Sequence, residues 1–263
     1  MKLRAALYAL LAAATATAVS AAEWAKLPGT SNFRTVLAYE DTQNGVRVAP
    51  FALLQRPVTN AEFLVFVRAH PQWRRGRVPA VFAEPRYLQH WTDGLEPGEA
   101  QSRQPVVQVS WFAAQAYCEA LGARLPSWIE WEYAAAADAT RADARQDPAW
   151  RERLLAWYAR PSTTPLAPVA SQPPDVHGIY DLQGLVWEWV DDAGALLISA
   201  DNRDQGAADR LQFCGAGALS AADRENYAVL MRIALLSALK ASDTTANLGF
   251  RCARDLLPGE EKP

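Results

Sequence analysis

Ten tryptophans, at positions 24, 73, 91, 111, 128, 131, 150, 157, 187 and 189, most constrain what this chain can fold into. An indole buries a large flat area, but its ring N–H must find an acceptor once it leaves water. So many indoles in 263 residues, with 17 prolines and 14 glycines, predict an irregular, loop-rich core. Half of the residues are hydrophobic and 21% are charged, the ordinary balance of a globular protein. The length suits one large domain or two small ones. A formal net charge of −3 gives no electrostatic reason to expect nucleic acid, and no Lys/Arg run marks an anionic membrane surface.

The first residues read as an export signal. "MKLR" is a short basic region, "AALYALLAAATATAV" a small apolar one, and "VSA" before Ala22 a small-residue cleavage site. The apolar run is short for a membrane span, and Glu23 follows at once. No cysteine follows the site, which argues against a lipid anchor. The expectation is a signal peptide over 1–21 and an exported domain over 22–263, periplasmic or secreted, with no stable membrane anchor after cleavage. Export makes disulfides possible. Three cysteines are present, Cys118, Cys214 and Cys252, so one disulfide would leave one thiol over, and the sequence leaves the pairing open. The three histidines, His70, His90 and His177, stand far apart and show no metal-ligand spacing.

Along the chain, "RVAPFALLQ" (47–55) predicts a strand. Thr59-Asn60-Ala61-Glu62 has capping-box form and predicts a helix start. Residues 71–104 lack periodicity and read as a long surface loop, with His90 as a loop anchor. "PVVQVS" (105–110) reads as a short buried strand, and Ser110 as the cap of "WFAAQAYCEAL", stopped by Gly122. Ser127-Trp128-Ile129-Glu130 is a second capping box. "DPAWRERLLAWYA" reads as an amphipathic helix in an excursion over 138–176, which leaves one domain the better reading. "LQFCGAGAL" (211–219) and "NLGFRCAR" (247–254) read as strands, and 224–241 as a helix.

"PVTNAEF", "PVVQVSWFAAQAYCEALGARLPSWIEWEYAAA", "GIYDLQGLVWEWV" and "NLGFRCAR" stand in the order seen in sulfatase-modifying factors. Over residues 47–254, the expected core of the domain, the chain resembles this formylglycine-generating enzyme family. The resemblance implies a single α+β domain like the C-type lectin fold. It implies a calcium loop in "YDLQGLVWE", held by the side chains of Asp181 and Glu188 and the backbone carbonyls of Gly184 and Val186. Calcium takes six to eight hard oxygens, and Gly184 lets the backbone turn inward. It also implies that Cys118 pairs with Cys252. One or two tryptophans, with Trp91 and Tyr180, would line a peptide groove, while most would be core.

The founding members of the family oxidise a sulfatase cysteine with copper held by two thiols that follow a Gly-Gly-Ser stretch. The corresponding stretch here is "FCGAGALSAADRENYAVLMR". The thiol positions fall near Ser220 and Glu225, and the family serine near Gly217. A hydroxyl and a carboxylate are poor Cu(I) ligands, so copper is not expected. Cys214 is the one weak catalytic candidate, but it lies on the other side of the glycines, about 20 Å of extended chain away. The expected function is an exported maturation or accessory factor that binds a client protein or peptide, a copper enzyme among the candidates, on a calcium-braced scaffold. The alternatives are an active formylglycine-type oxidase and a calcium-dependent lectin-like binding module.

Overall fold

The structure is a computed structural model that describes residues 22–35, 45–98, 101–159, 166–193, 227–256 and 259–260. In chain order the elements are β1 (Trp24–Leu27), β2 (Thr30–Phe33), β3 (Val46–Val48), β4 (Phe51–Leu54), α1 (Asn60–Ala69), α2 (Trp111–Ala120), α3 (Trp128–Ala135), α4 (Pro148–Tyr158), β5 (Trp187–Glu188), α5 (Tyr227–Ala238), β6 (Leu248–Gly249) and β7 (Ala253–Asp255). The architecture is α+β. β4 is the middle strand of an antiparallel sheet in the order β1-β4-β7, and all four of its residues are buried. β2 and β3 form an antiparallel pair, and β5 runs parallel to β6. The folded region therefore begins before residue 47, at β1.

Both capping boxes are formed. Thr59 accepts from the Glu62 N–H while Glu62 reaches back to the Thr59 N–H, and Ser127 and Glu130 do the same for α3. Each satisfies two of the orphan donors of a helix start. Ser110 caps α2 through the Ala113 N–H, and Asp147 caps α4 through the Ala149 N–H.

Four expectations change. The strand over 47–55 is two strands, β3 and β4, which pair with different partners across Ala49-Pro50. Proline has no N–H to give a ladder. The 105–110 segment is buried but forms no strand. Its Val106 N–H donates to Val58 and its Gln108 N–H to Thr245, and Gln108 sits at φ +53°, which breaks extended pairing. The 71–104 segment is no surface loop throughout: Tyr87, Leu88 and Trp91 are core residues. "NLGFRCAR" splits into β6 and β7 because Phe250, Arg251 and Cys252 between them turn inward and are fully buried.

One large core takes side chains from every element except α4. A smaller cluster, Ala144, Trp150 and Leu154 with Trp157 against it, sits under the excursion. Cys118 of α2 is bonded to Cys252, 134 residues away, with Cα atoms 5.5 Å apart. Among the described residues no helix is long and apolar enough to cross a membrane.

Candidate functional site

The site is built where α3, β5 and the β6–β7 turn meet. Gly249 places β6 against the 105–110 segment, since a Cβ there would lie 2.6 Å from the Val106 carbonyl oxygen. That close approach seats β5 beside β6 and turns Glu188 inward. Arg251 follows two residues after Gly249. Both Glu188 and Arg251 are 0% exposed.

Their contacts explain how two charges can lie in an apolar core. Arg251 Nε donates to Glu188 Oε2 at 2.9 Å and Nη2 to Oε1 at 2.8 Å. The other donors of Arg251 reach the carbonyls of Leu54, Gln55 and Tyr180. The Trp131 indole donates to Glu188 Oε2 at 2.8 Å. A buried ion pair survives only when its remaining donors and acceptors are filled, and this bidentate pair is nearly saturated. Arg232 stacks on the Trp131 ring at 3.4 Å from its centroid and donates to the Glu188 carbonyl.

Four other tryptophans follow the same rule. Trp91 donates to Asn60 Oδ1, Trp111 to the Val190 carbonyl, Trp128 to Glu132, and Trp189 to the Val109 carbonyl. Trp91 is 1% exposed, so it cannot line a groove as expected; it is a core residue. Tyr180 and Trp187 stay half-buried. His90 holds the loop to α1 and the 105–110 segment, with Nε2 3.1 Å from Asn60 Oδ1 and Nδ1 3.1 Å from Gln108 Oε1.

The sequence-derived calcium residues form one loop. Gly184 stands at φ +110°, which a side chain would resist. Asp181 stands at φ +60° and accepts from the Ala170 N–H at 2.6 Å, and Ala170 is itself at φ +55°. Two neighbouring residues held in the left-handed region mark a loop that its surroundings over-determine. Burial pushes the Asp181 carboxyl above the ordinary range, with the negative charge of Glu188 adding to the effect. Among the described residues the Gly184 and Val186 carbonyls accept no hydrogen bond. Glu188 Oε1 and Asp181 Oδ2 each accept one donor and keep a lone pair, and among the described residues Asp181 Oδ1 accepts none. These hard oxygens fit a calcium ion chemically, though Arg251 already neutralises Glu188.

No group of three or more histidine, cysteine, aspartate or glutamate side chains converges among the described residues. Cys214, with Gly217, Ser220 and Glu225, lies outside the described residues. What the structure does fix is the thiol count. The chain has three cysteines and Cys118–Cys252 uses two, so one thiol remains. A copper site of two thiols from one chain does not fit this donor set.

Sequence reading passed over Arg251 and Arg232 as site residues. The signal for Arg251 was present: an arginine inside the apolar run "LGFRCA" cannot be buried without a carboxylate partner.

The family described as "Sulfatase-modifying factor enzyme 1-like domain" matches residues 14–256. The formylglycine-generating enzyme of Streptomyces coelicolor is 32% identical over 258 residues, covering 80% of this chain and 80% of that protein. A mouse protein named inactive C-alpha-formylglycine-generating enzyme 2 is 30% identical, covering 79% of this chain and 76% of that protein. The mouse formylglycine-generating enzyme is 29% identical, but the match spans only 46% of its length and 60% of this chain. The buried tryptophans, the Glu188–Arg251 pair and the Cys118–Cys252 bridge are thus the core of a member of the sulfatase-modifying factor family.

Proposed function

We propose that this chain is an exported accessory factor which keeps the family scaffold without the family's two-thiol oxidase. It binds another exported protein, or a peptide of it, and assists its maturation. The observation that supports this reading is the thiol count: with Cys118 and Cys252 bonded to each other, Cys214 alone is left. One thiolate cannot supply the pair of soft ligands that holds Cu(I) for oxygen activation. The likeness to a relative named as inactive agrees with this.

Calcium, in this reading, braces the scaffold through Asp181, Glu188 and the carbonyls of Gly184 and Val186. When bound it supplies positive charge to the half-buried Asp181 carboxylate. No reaction step passes through it. Because Arg251 already compensates Glu188, chelation is expected to lower the melting temperature by a few degrees rather than to unfold the chain. An unchanged melting curve sinks the calcium reading.

The decisive experiment supplies the copper-loaded protein with oxygen and a Cys-x-Pro-x-Arg peptide. The accessory reading expects no aldehyde product, and it expects an exported client to co-purify with the chain. The second reading, an active oxidase using Cys214, is favoured by the 32% identity to a named formylglycine-generating enzyme. It expects aldehyde product that disappears in Cys214→Ser.

A further inference from the structure

An aromatic groove lies between the outer face of α2 and the 71–82 segment. It encloses about 480 Å³, and Trp73, Val78, Phe82, Trp111 and Phe112 line it. Its walls meet edge to face: the Phe82 ring stands 5.3 Å from Phe112 at 80° and 6.3 Å from Trp73 at 65°. Phe82 is 41% exposed, and Val81 beside it 69%. Single apolar side chains on a surface need no explanation, but a continuous aromatic slot of this size suits a guest. The slot also keeps a donor. The Trp111 indole is spent on the Val190 carbonyl, whereas the Trp73 ring N–H meets no acceptor among the described residues.

Charge decides what the guest is. Arg68, in the last turn of α1, is followed by Arg74, Arg75 and Arg77, and among the described residues no carboxylate pairs with any of the four. The Arg74 guanidinium is pinned by the carbonyls of Val67 and Arg68, and that of Arg75 by the carbonyl of Trp91. Carbonyls hold a guanidinium in place without neutralising it. Arg77, next to Val78 of the lining, is exposed. Arg86 differs, because Glu84 closes it. On the α2 wall the one acid of the lining is Glu119, whose Oε1 holds the Gln115 amide at 3.0 Å. In a chain of net charge −3, four guanidinium groups against one carboxylate make this wall locally positive. A basic segment would meet like charge there, and a purely apolar one would leave the charge unmatched. Acids beside a bulky apolar side chain match both the rim and the slot.

We propose that this groove receives an acidic peptide segment, with a bulky apolar anchor seated among Phe82, Phe112 and Trp73 and its carboxylates against the arginine wall. The proposal rests on the accessory-factor reading and names the chemistry of the segment bound. The two fail separately. Absence of peptide binding leaves the thiol count as it is, and aldehyde product in the oxidase assay removes the accessory reading without touching the groove.

The test is calorimetric titration of the full-length mature protein, in EDTA, with three capped hexapeptides. The first is Ala-Asp-Phe-Asp-Glu-Ala, the second has alanine for phenylalanine, and the third has lysine for each acid. The first should saturate with a Kd of roughly 0.1–1 mM, bind about tenfold more tightly than either of the others, and weaken several-fold in about 0.5 M salt. Phe82→Ala should weaken it about tenfold and Arg77→Glu about fivefold. Both positions are exposed, so both variants keep the core intact. Tighter binding of the lysine peptide, no saturation by the acidic peptide up to about 10 mM, or wild-type affinity in both variants overturns the proposal. So does self-association of the free protein that Phe82→Ala abolishes, read by sedimentation, because it gives the groove to a second copy.

Discussion

The α3–β5–β6 core and the α4 excursion solve the same problem, packing tryptophans beside charge, in opposite ways. In the core, Trp131 donates to a carboxylate that is itself clamped by Arg251, and nothing in the cluster is exposed. In the excursion, Trp150 and Leu154 form a satellite with Ala144, and the charges around them pair at the surface, Arg141 with Asp138 and Asp147. The core spends its polar atoms on one another, which makes it rigid and intolerant. The excursion leaves carboxylate oxygens open beside a cavity. Stability is therefore concentrated in the first region, while the second borders a cavity.

That contrast can be broken most forcefully at the ion pair. Glu188→Gln or Arg251→Met leaves one buried charge without its partner and should cost about 3–5 kcal/mol. Little folded protein should be recovered, as seen by circular dichroism and urea denaturation. The double variant Glu188→Leu with Arg251→Met should regain part of the loss. A double-variant loss equal to the sum of the two single losses would show that the pair is not coupled.

Next in size is the disulfide. Cys118→Ser with Cys252→Ser opens a bridge across 134 residues of sequence and should cost up to about 5 kcal/mol in the chain-entropy account. The check is urea denaturation of the double variant beside reduced wild type, which should coincide.

A smaller effect follows pH. Burial alone would raise the Glu62 carboxyl, but the Arg56 guanidinium and the Thr59 donors outweigh it and hold it below the ordinary range. A carboxyl lowered on folding adds stability above its unfolded pKa of about 4.3, and this is lost as pH falls through the folded value. Glu62→Gln should cost about 1 kcal/mol at pH 7 and nothing once both carboxyls are protonated, well below pH 4. Asp175 and Asp181 shift the other way. They cost stability at neutral pH, and the cost fades as pH falls through their raised values. Melting curves from pH 7 to 3 separate the two signs.

The smallest effect belongs to the excursion. Arg141→Ala removes exposed ion pairs that solvent screens, so the melting temperature should not move. A drop comparable to that of the ion-pair variants would erase the distinction between the two regions.

What was legible in the sequence was local chemistry. The capping boxes at Thr59 and Ser127 depend on four consecutive residues each, and both formed. The demand of each indole for an acceptor was legible as well, but its acceptors were not, because Trp131 finds Glu188 across 57 residues and Trp189 finds Val109 across 80. The 105–110 segment misled because apolar alternation says nothing of Gln108, whose left-handed backbone breaks the strand. The groove role expected of Trp91 came from family resemblance; Asn60, on a distant helix, draws it inside. The pairing of Cys118 with Cys252 came from family resemblance, since three cysteines alone allow three pairings. The cavity beside α4, by contrast, arises from residues 135, 157, 175, 181 and 183 meeting in space, which no local pattern encodes.

The most direct test of the central claim, that this scaffold holds a single thiol where an oxidase needs two, is alkylation of the unreduced, denatured protein followed by peptide mass mapping. The account predicts one alkylated cysteine, Cys214, and one linked peptide pair, Cys118 with Cys252. Two or three alkylated cysteines, or Cys214 linked to either partner, would contradict it.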